Sequence, residues 1–140
     1  MDEPILPLLA VLRTTRALLA PPERWTSRDY AEDGNGDPVP VPVGSRHAMR
    51  FSLLGALVRS APGRSRILVE ARDLFRDVRP DLYRKLSGDR PAMTHDEVIE
   101  LLDAGITLLA KAATRLVVKQ SGFIAAVGAP TKKGTGSASG

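Results

Sequence analysis

The residues that most often coordinate metal ions or act as general bases are few in this sequence. It contains no cysteine and two histidines, His47 and His95. Neither histidine has a second histidine or a carboxylate at the spacing that places metal ligands on one helix face. Without cysteine, a thiolate metal site, a cysteine nucleophile and a disulfide framework are excluded. The sequence therefore predicts no metal site and no cofactor, and both histidines are expected to be exposed near the starts of helices.

One polar cluster has the beginning of a calcium-binding loop. Asp33, Asn35 and Asp37 occupy positions one, three and five of an EF-hand-like loop. Such a loop needs glycine at position six and glutamate at position twelve, where this chain has Pro38 and Gly44. Clusters of Asp, Asn and Gly are typical of reverse turns. We therefore interpret this segment as a turn and not as a calcium site.

The hydroxyl and carboxylate side chains form no known catalytic pattern. The sequence has no Gly-rich phosphate loop, nucleophile elbow or zinc signature. Ser52 and Ser60 lie in a helical pattern with no base nearby in the sequence. An enzyme would require distant residues, such as Trp25, Asp33 and Asp89, to converge in space. The sequence therefore favours a non-catalytic protein.

The basic residues are concentrated in the middle of the chain. Residues 46–90 hold eleven Arg and Lys residues against five acidic ones, whereas the whole chain has a formal net charge of +4. The arginines that could form a phosphate-binding face are Arg64, Arg66, Arg72, Arg76 and Arg79. Some of this charge is expected to be neutralised, because Arg66 can pair with Glu70 and Arg76 with Asp73 along a helix. Nucleic-acid binding through residues 64–90 is the alternative function that this pattern indicates.

Four segments have apolar residues at helical spacing. They run from about 4 to 20, 46 to 61, 65 to 78 and 94 to 119, with a further turn or two at 81–86. Pro21 and Pro22 end the first segment, and Thr94 and Glu97 form a capping box that begins the last. Gly55 is expected to let a neighbouring helix approach the second segment closely. The sequence predicts an all-α fold, a compact bundle of about four helices.

Residues 25–45 interrupt the helical pattern. The turn cluster at 33–37 is followed by Val39, Val41 and Val43, which alternate with prolines. The glycines and Asn35 permit a tight reversal, but the prolines lack ladder donors, so strand pairing is confined to a short edge. We predict a small β-hairpin or ordered loop as an insert in the bundle, with Trp25 folded against the helices.

The C-terminal residues differ in composition from the helical segments. Residues 1–120 are predicted to form a single helical domain, and residues 121–140 a tail with a flexible Gly/Ser/Lys end. Phe123, Ile124 and Val127 form a short apolar patch in this tail. The patch either folds back onto the core or binds another protein or a second copy, because a short apolar segment can insert into a groove. These three residues are the predicted protein-binding site.

The composition is that of a globular protein, with 43 % hydrophobic residues. The first charged residues, Asp2 and Glu3, are acidic, whereas a secretory signal begins with basic ones. No uncharged apolar run approaches the roughly 18 residues needed to span a bilayer. The sequence predicts a cytoplasmic protein without a membrane partner. The function that it favours is a small interaction or accessory protein that acts through a protein-binding surface.

Several short motifs in the chain occur together in one protein family. They are Trp25, Asp33-Gly34, Ala48, Phe51-Ser52-Leu53, Gly55-Ala56-Leu57, Asp89 and the segment from Thr94 to Val98. In these motifs, between Trp25 and Ile106, the chain resembles an uncharacterised family of small bacterial helical proteins, a domain of unknown function. Where that family has an Asn-Asp pair, this chain has Gly88 and Asp89. The resemblance implies one compact domain and implies no activity.

Overall fold

The computed structural model describes residues 5–39, 47–86 and 91–128, with side chains as far as residue 119. These ranges contain five α-helices and one two-stranded antiparallel sheet. The helices are α1 (Ile5–Leu19), α2 (Leu53–Ser60), α3 (Ser65–Val78), α4 (Pro80–Leu86) and α5 (His95–Gly128), and the strands are β1 (Ala31–Glu32) and β2 (Arg50–Phe51). The predicted all-α fold with a small β insert is confirmed.

The hydrophobic core lies where α1 packs against α2 and α5, and where α3 packs against α4 and α5. Its largest fully buried apolar side chains are Phe75, Leu12, Leu19, Leu57, Leu101, Leu102 and Val98. Gly105 lies where α5 meets α1 and α3. A Cβ atom at this position would lie 3.2 Å from a methyl group of Leu74 and 3.3 Å from one of Leu12. The close packing of α5 on both neighbours therefore depends on this glycine.

The start of α5 is fixed by the capping box that the sequence predicts. The Thr94 hydroxyl accepts a hydrogen bond from the backbone N–H of Glu97 at 3.2 Å. The Glu97 carboxylate in turn accepts one from the backbone N–H of Thr94 at 3.0 Å. These bonds satisfy two of the donors that a helix leaves free at its N-terminus.

The two strands close the segment between α1 and α2, residues 25–52, which we call the insert. Ala31 lies opposite Phe51 in the sheet, and Glu32 lies opposite Arg50. The predicted reverse turn at 33–37 is confirmed, because the Asp33 carboxylate accepts bonds from the backbone N–H groups of residues 35 and 37. Gly36 has a φ of 86°, which favours glycine. Residues 40–46, including Val41 and Val43, lie outside the described residues.

The second helix is shorter than the sequence predicts. Periodicity predicts a helix over 46–61, but α2 begins at Leu53, and Arg50 and Phe51 form β2 instead. Met49, which the helical pattern places among buried residues, is exposed. Phe51 is buried, but it reaches the core from a strand. The physical reason is that pairing with β1 and the helix cap at Ser52 supply hydrogen bonds that a longer helix would lose.

The last helix is longer than the sequence predicts. The backbone of α5 continues to Gly128, beyond the predicted end near Lys119. Gly122 alone does not stop a helix, because a single glycine costs only about 1 kcal/mol relative to alanine. Among the described residues, no helix combines the length and the apolar composition needed to cross a membrane.

Candidate functional site

A groove opens between the insert and the bundle. Its volume is about 410 Å³. Its apolar lining consists of Trp25, Leu53, Leu54, Leu86, Ala92, Met93 and Val98, and its polar lining of Thr26, Ser27, Arg28, Asp29, Tyr30, Ser52 and Lys85. The insert, α2, the end of α4 and the start of α5 each contribute to these walls. The site therefore exists only when the insert is folded against the helices.

Trp25 forms the wall of the groove where α1 is followed by the insert. Its backbone N–H donates to the carbonyl of Pro22 at 3.1 Å, and its ring lies 5.9 Å from the ring of His95. His95 Nε2 lies 2.7 Å from the carbonyl oxygen of Leu19. The prediction that His95 is exposed is therefore wrong: the ring is half-buried and links the end of α1 to the start of α5. His47 is exposed, as predicted.

A buried carboxylate holds the insert beside the groove. Glu32 is fully buried, and its two oxygens accept hydrogen bonds from Arg28 Nε at 3.1 Å and Arg28 Nη2 at 2.9 Å. The Thr26 hydroxyl donates to the same carboxylate at 2.8 Å, and Arg50 Nη1 lies 3.9 Å away. Asp29 is the second carboxyl group of this cluster. These bonds connect the chain before the turn with both strands.

The two carboxyl groups of this cluster respond differently to their surroundings. Burial alone would raise the pKa of Glu32, but the hydrogen bonds from Arg28 and Thr26 outweigh it and lower the pKa. The hydrogen bond with Glu32 raises the pKa of Asp29, and burial adds to this effect. The hydrogen bonds from Arg28 and Thr26 therefore favour the charged form of Glu32.

Several charged and hydroxyl groups at the groove, besides Arg28 and Thr26, are already engaged within the chain. Lys85 Nζ donates to Glu97 Oε2 at 2.6 Å, and this bond lowers the pKa of Glu97. Ser52 caps α2, because its hydroxyl accepts a hydrogen bond from the backbone N–H of Gly55 at 3.1 Å. The groove thus combines an apolar surface with polar groups whose positions are fixed, an arrangement suited to binding.

Gly55 permits the insert to lie against α2. A Cβ atom at this position would lie 1.8 Å from the carbonyl oxygen of Tyr30. Close approach at Gly55 is therefore found, but its partner is the backbone of the insert and not the neighbouring helix that the sequence predicts. The same carbonyl oxygen of Tyr30 accepts a hydrogen bond from the backbone N–H of Ser52 at 3.1 Å. This contact holds the insert against α2 beside the groove.

The predicted phosphate-binding arginines do not share one environment. Arg79 bonds Asp81 and Glu100, and the first bond lowers the pKa of Asp81 to about 2. Arg76 lies 3.1 Å from Asp73, as the sequence predicts. The remaining three, Arg64, Arg66 and Arg72, are exposed and form no ion pair among the described residues. The expected pair of Arg66 with Glu70 is likewise not found there.

Other residues singled out in the sequence lie apart from the groove or outside the described residues. The Asp33 carboxylate holds the turn at 33–37, and Asp89 lies outside the described residues. Among the residues that the structure describes, no group of three or more His, Asp or Glu side chains is arranged to hold a metal ion. Phe123, Ile124 and Val127 lie in α5, but their side chains are outside the described part of the chain.

Sequence reasoning missed the groove and the cluster around Glu32. Arg28 and Glu32 are four residues apart, which indicates pairing on a helix but carries no such meaning in an irregular segment. Trp25 was the one visible signal, since a single tryptophan next to a turn cluster is expected to fold against the core. The polar partners of the groove come from elements far apart in sequence and could not be found from spacing.

The comparisons with known proteins identify a family without assigning an activity. No curated protein and no solved structure matches the chain. One family model, described as a family of unknown function (DUF6197), matches residues 4–108. This match spans α1 through the packed half of α5 and includes every residue that lines the groove. The chain therefore belongs to this family of unknown function.

Proposed function

We propose that this protein is a small non-catalytic accessory protein that binds an extended segment of another protein in the groove. The single observation that carries this proposal is the composition of the groove. An apolar surface of Leu54, Met93 and Trp25 lies beside charged groups that are already paired within the chain. A proposed setting in the bacterial cytoplasm accords with the resemblance to small bacterial proteins and with a sequence that contains no cysteine.

The pairing of the charges favours binding over catalysis. A catalytic base or nucleophile must be available to its substrate, whereas the Ser52 hydroxyl caps a helix and the Lys85 ammonium is bonded to Glu97. A binding groove benefits from the same arrangement, because fixed side chains lose little freedom when a partner binds. The fixed polar groups can then orient the backbone of a bound segment.

The apolar lining indicates what the occupant provides. Met93 and Val98 are buried and Leu54 is half-buried, so an apolar side chain placed here would contact aliphatic groups on several sides. Ser27 and Tyr30 of the insert, which also line the groove, offer polar atoms to the backbone of the same segment. An extended peptide with one apolar anchor has both features.

Trp25 allows a direct test, because it is the only tryptophan of the chain and lines the groove. Peptides selected from a random displayed library against the intact protein are titrated while the Trp25 emission is recorded. We expect saturable emission changes that Leu54→Glu or Ala92→Asp weakens at least about tenfold, a loss of about 1.4 kcal/mol.

The matched control is Val69→Glu, which adds the same charge at an exposed position of α3 that does not line the groove. It is expected to bind as the unsubstituted protein does. Ala92 is exposed, so Ala92→Asp keeps the test valid if Leu54→Glu impairs folding. Failure to select any peptide, or binding that neither groove variant weakens, would overturn the proposal.

Nucleic-acid binding is the second candidate, and it rests on the three exposed arginines Arg64, Arg66 and Arg72. Its support is weaker because Arg76 and Arg79 are engaged by carboxylates. The test is the affinity for labelled DNA and RNA at two salt concentrations. Binding that weakens with salt and is lost in the Arg66→Glu, Arg72→Glu double variant would support this alternative.

A further inference from the structure

The turn of the insert contains the only asparagine of the chain, and a glycine follows it. Asn35 is exposed at the tip of the turn, and Gly36 comes directly after it. Asparagine is one of the residues that heat modifies most readily. A glycine in the next position leaves the following backbone nitrogen without a side chain to shield it. Asn35 and Gly36 can therefore react with each other within the chain.

The reaction that this pair can undergo is deamidation through a cyclic imide. The backbone nitrogen of Gly36 loses its proton and attacks the side-chain carbon Cγ of Asn35. A new C–N bond forms, and the side-chain amide nitrogen takes up a proton from solvent and leaves as ammonia. Water then opens the five-membered ring at either of its two carbonyl carbons. Residue 35 becomes aspartate or isoaspartate, and no oxidant, reductant or further reactant is needed.

The closed turn opposes this attack. The backbone N–H of Gly36 donates a hydrogen bond to the carbonyl oxygen of Asp33 at 3.0 Å. The Asp33 carboxylate also accepts hydrogen bonds from the backbone N–H groups of Asn35 and Asp37, at 2.8 and 3.0 Å. The nitrogen that must lose its proton is thus hydrogen-bonded while the turn is closed. The turn must open before Gly36 can attack.

The turn is connected to the contacts that hold the insert. The backbone N–H of Val39 donates to the carbonyl oxygen of Ala31 at 3.0 Å, which ties the end of the turn to β1 and through it to β2. Arg28, which bonds the buried Glu32, also reaches the turn, because a Cβ atom on Gly36 would lie 3.6 Å from Arg28 Nη2. Release of the insert from α2 is therefore expected to open the turn as well.

We propose that Asn35 is a self-modification site, which the closed turn protects and which deamidates when the insert leaves α2. Isoaspartate adds one carbon atom to the main chain between residues 35 and 36, so the N–H groups of Gly36 and Asp37 no longer align with Asp33. Aspartate instead adds a third carboxylate beside those of Asp33 and Asp37, and like charges repel. Either product keeps the insert from returning to its place. This inference does not depend on what the groove binds.

Intact-mass measurement during incubation at mildly alkaline pH tests the inference. Replacement of the amide by a carboxyl group raises the mass, and fragment analysis assigns the gain to Asn35. Gly55→Ala and Glu32→Gln both loosen the insert, so each is compared with the unsubstituted protein. We expect Asn35 to deamidate at least about tenfold faster in both variants, because only molecules with an open turn react. The protein unfolded in urea gives the rate without protection.

Two variants serve as controls. Glu23→Gln removes a charge at an exposed position outside the insert, as Glu32→Gln does inside it, and is expected to deamidate at the unsubstituted rate. Asn35→Gln keeps the amide on a side chain that is one methylene longer, so closure needs a six-membered ring. This variant is expected to gain no mass at position 35 over the same period.

Three results would overturn the inference. The first is deamidation of Asn35 at equal rates in the folded and the urea-unfolded protein. The second is a rate in Gly55→Ala and Glu32→Gln that equals the rate in Glu23→Gln. The third is the absence of any mass gain at Asn35 even in urea. The deamidated protein is also expected to show the Trp25 emission of Gly55→Ala, and emission unchanged from the unmodified protein would show that the insert returns.

Discussion

The insert and the C-terminal part of α5, residues 114–128, which we call the α5 extension, are held in different ways. The insert has two strands of two residues each, yet Glu32, Ala31 and Phe51 in it are buried. The α5 extension is continuous helix, yet its described side chains include the two most exposed valines of the protein's described part. In this chain, a segment with regular secondary structure is therefore not always one that tertiary contacts hold in place.

The difference shows what each region requires from its surroundings. The insert is fixed by specific contacts that come from distant residues, such as the approach of Tyr30 to Gly55. The extension satisfies its backbone hydrogen bonds internally, as every helix does, and leaves the side chains of Val117 and Val118 exposed. A region of the first kind can form a precise site, and one of the second kind can present a surface.

The largest loss of unfolding free energy is expected from a substitution at the contact between the insert and α2. Gly55→Ala places a Cβ atom 1.8 Å from the Tyr30 carbonyl oxygen, so the insert must move away from α2. Overpacking against backbone is expected to lower the free energy of unfolding by about 3 kcal/mol. Thermal or urea unfolding measures it.

Gly34→Ala is the control for this change, because a Cβ atom there meets no atom within 4 Å. Its unfolding free energy is expected to remain within about 0.5 kcal/mol of the unsubstituted value. Equal stability of the two variants would show that the insert does not rest on α2.

The second largest loss of unfolding free energy is expected from a substitution of the buried Glu32. Glu32→Gln removes the charge that Arg28 and Thr26 bond, and it is expected to cost about 2 kcal/mol of unfolding free energy. Glu23→Gln removes the same charge from an exposed position between α1 and the insert and is expected to be nearly neutral. If both variants unfold alike, the cluster around Glu32 does not stabilise the insert.

The same carboxylate makes the insert sensitive to acid. The folded pKa of Glu32 lies below its ordinary value of 4.5, so its contribution is complete above that pH and is lost as the pH falls through the folded value. The raised pKa of Asp29 acts in the opposite direction and reduces the loss. Trp25 emission during acid titration is expected to show unfolding of the insert, with a smaller pH dependence in Glu32→Gln.

The smallest effect is expected in the α5 extension. Leu116→Ala is expected to change the unfolding free energy of the monomer by less than about 1 kcal/mol, because Leu116 lies outside the core. Leu102→Ala makes the same truncation in the packed half of α5 and leaves a cavity. It is expected to lower the free energy of unfolding by about 3 kcal/mol. Urea unfolding at low protein concentration measures both, and similar losses would contradict the contrast between the two halves.

Sequence periodicity predicted the helices well where apolar side chains recur at spacings of three and four residues, on one face. The end of α1 before Pro21 and the capping box at Thr94 follow from local chemistry and were found at the predicted places. Residues 46–52 were predicted as helix because their apolar residues fit the spacing of a helix as well as that of a strand. The pairing of β2 with β1 decided otherwise, and such pairing depends on residues about twenty positions away.

The candidate groove could be predicted only in part. Trp25 folds against the bundle as expected, but the hydrogen bond of Lys85 with Glu97 and the packing of Met93 join elements that spacing does not relate. The protein-binding prediction for Phe123, Ile124 and Val127 stays a prediction, since their side chains lie outside the described residues.

The sequence by itself determined the class of this protein and the local starts and stops of its helices. These depend on backbone donors, caps and apolar spacing, which act over a few residues. Only the tertiary structure decided where the insert lies, which carboxylate is buried and which of the described side chains of α5 are buried. Burial and charge pairing depend on contacts between residues that are distant in the sequence. A local pattern does not specify which distant residues come into contact.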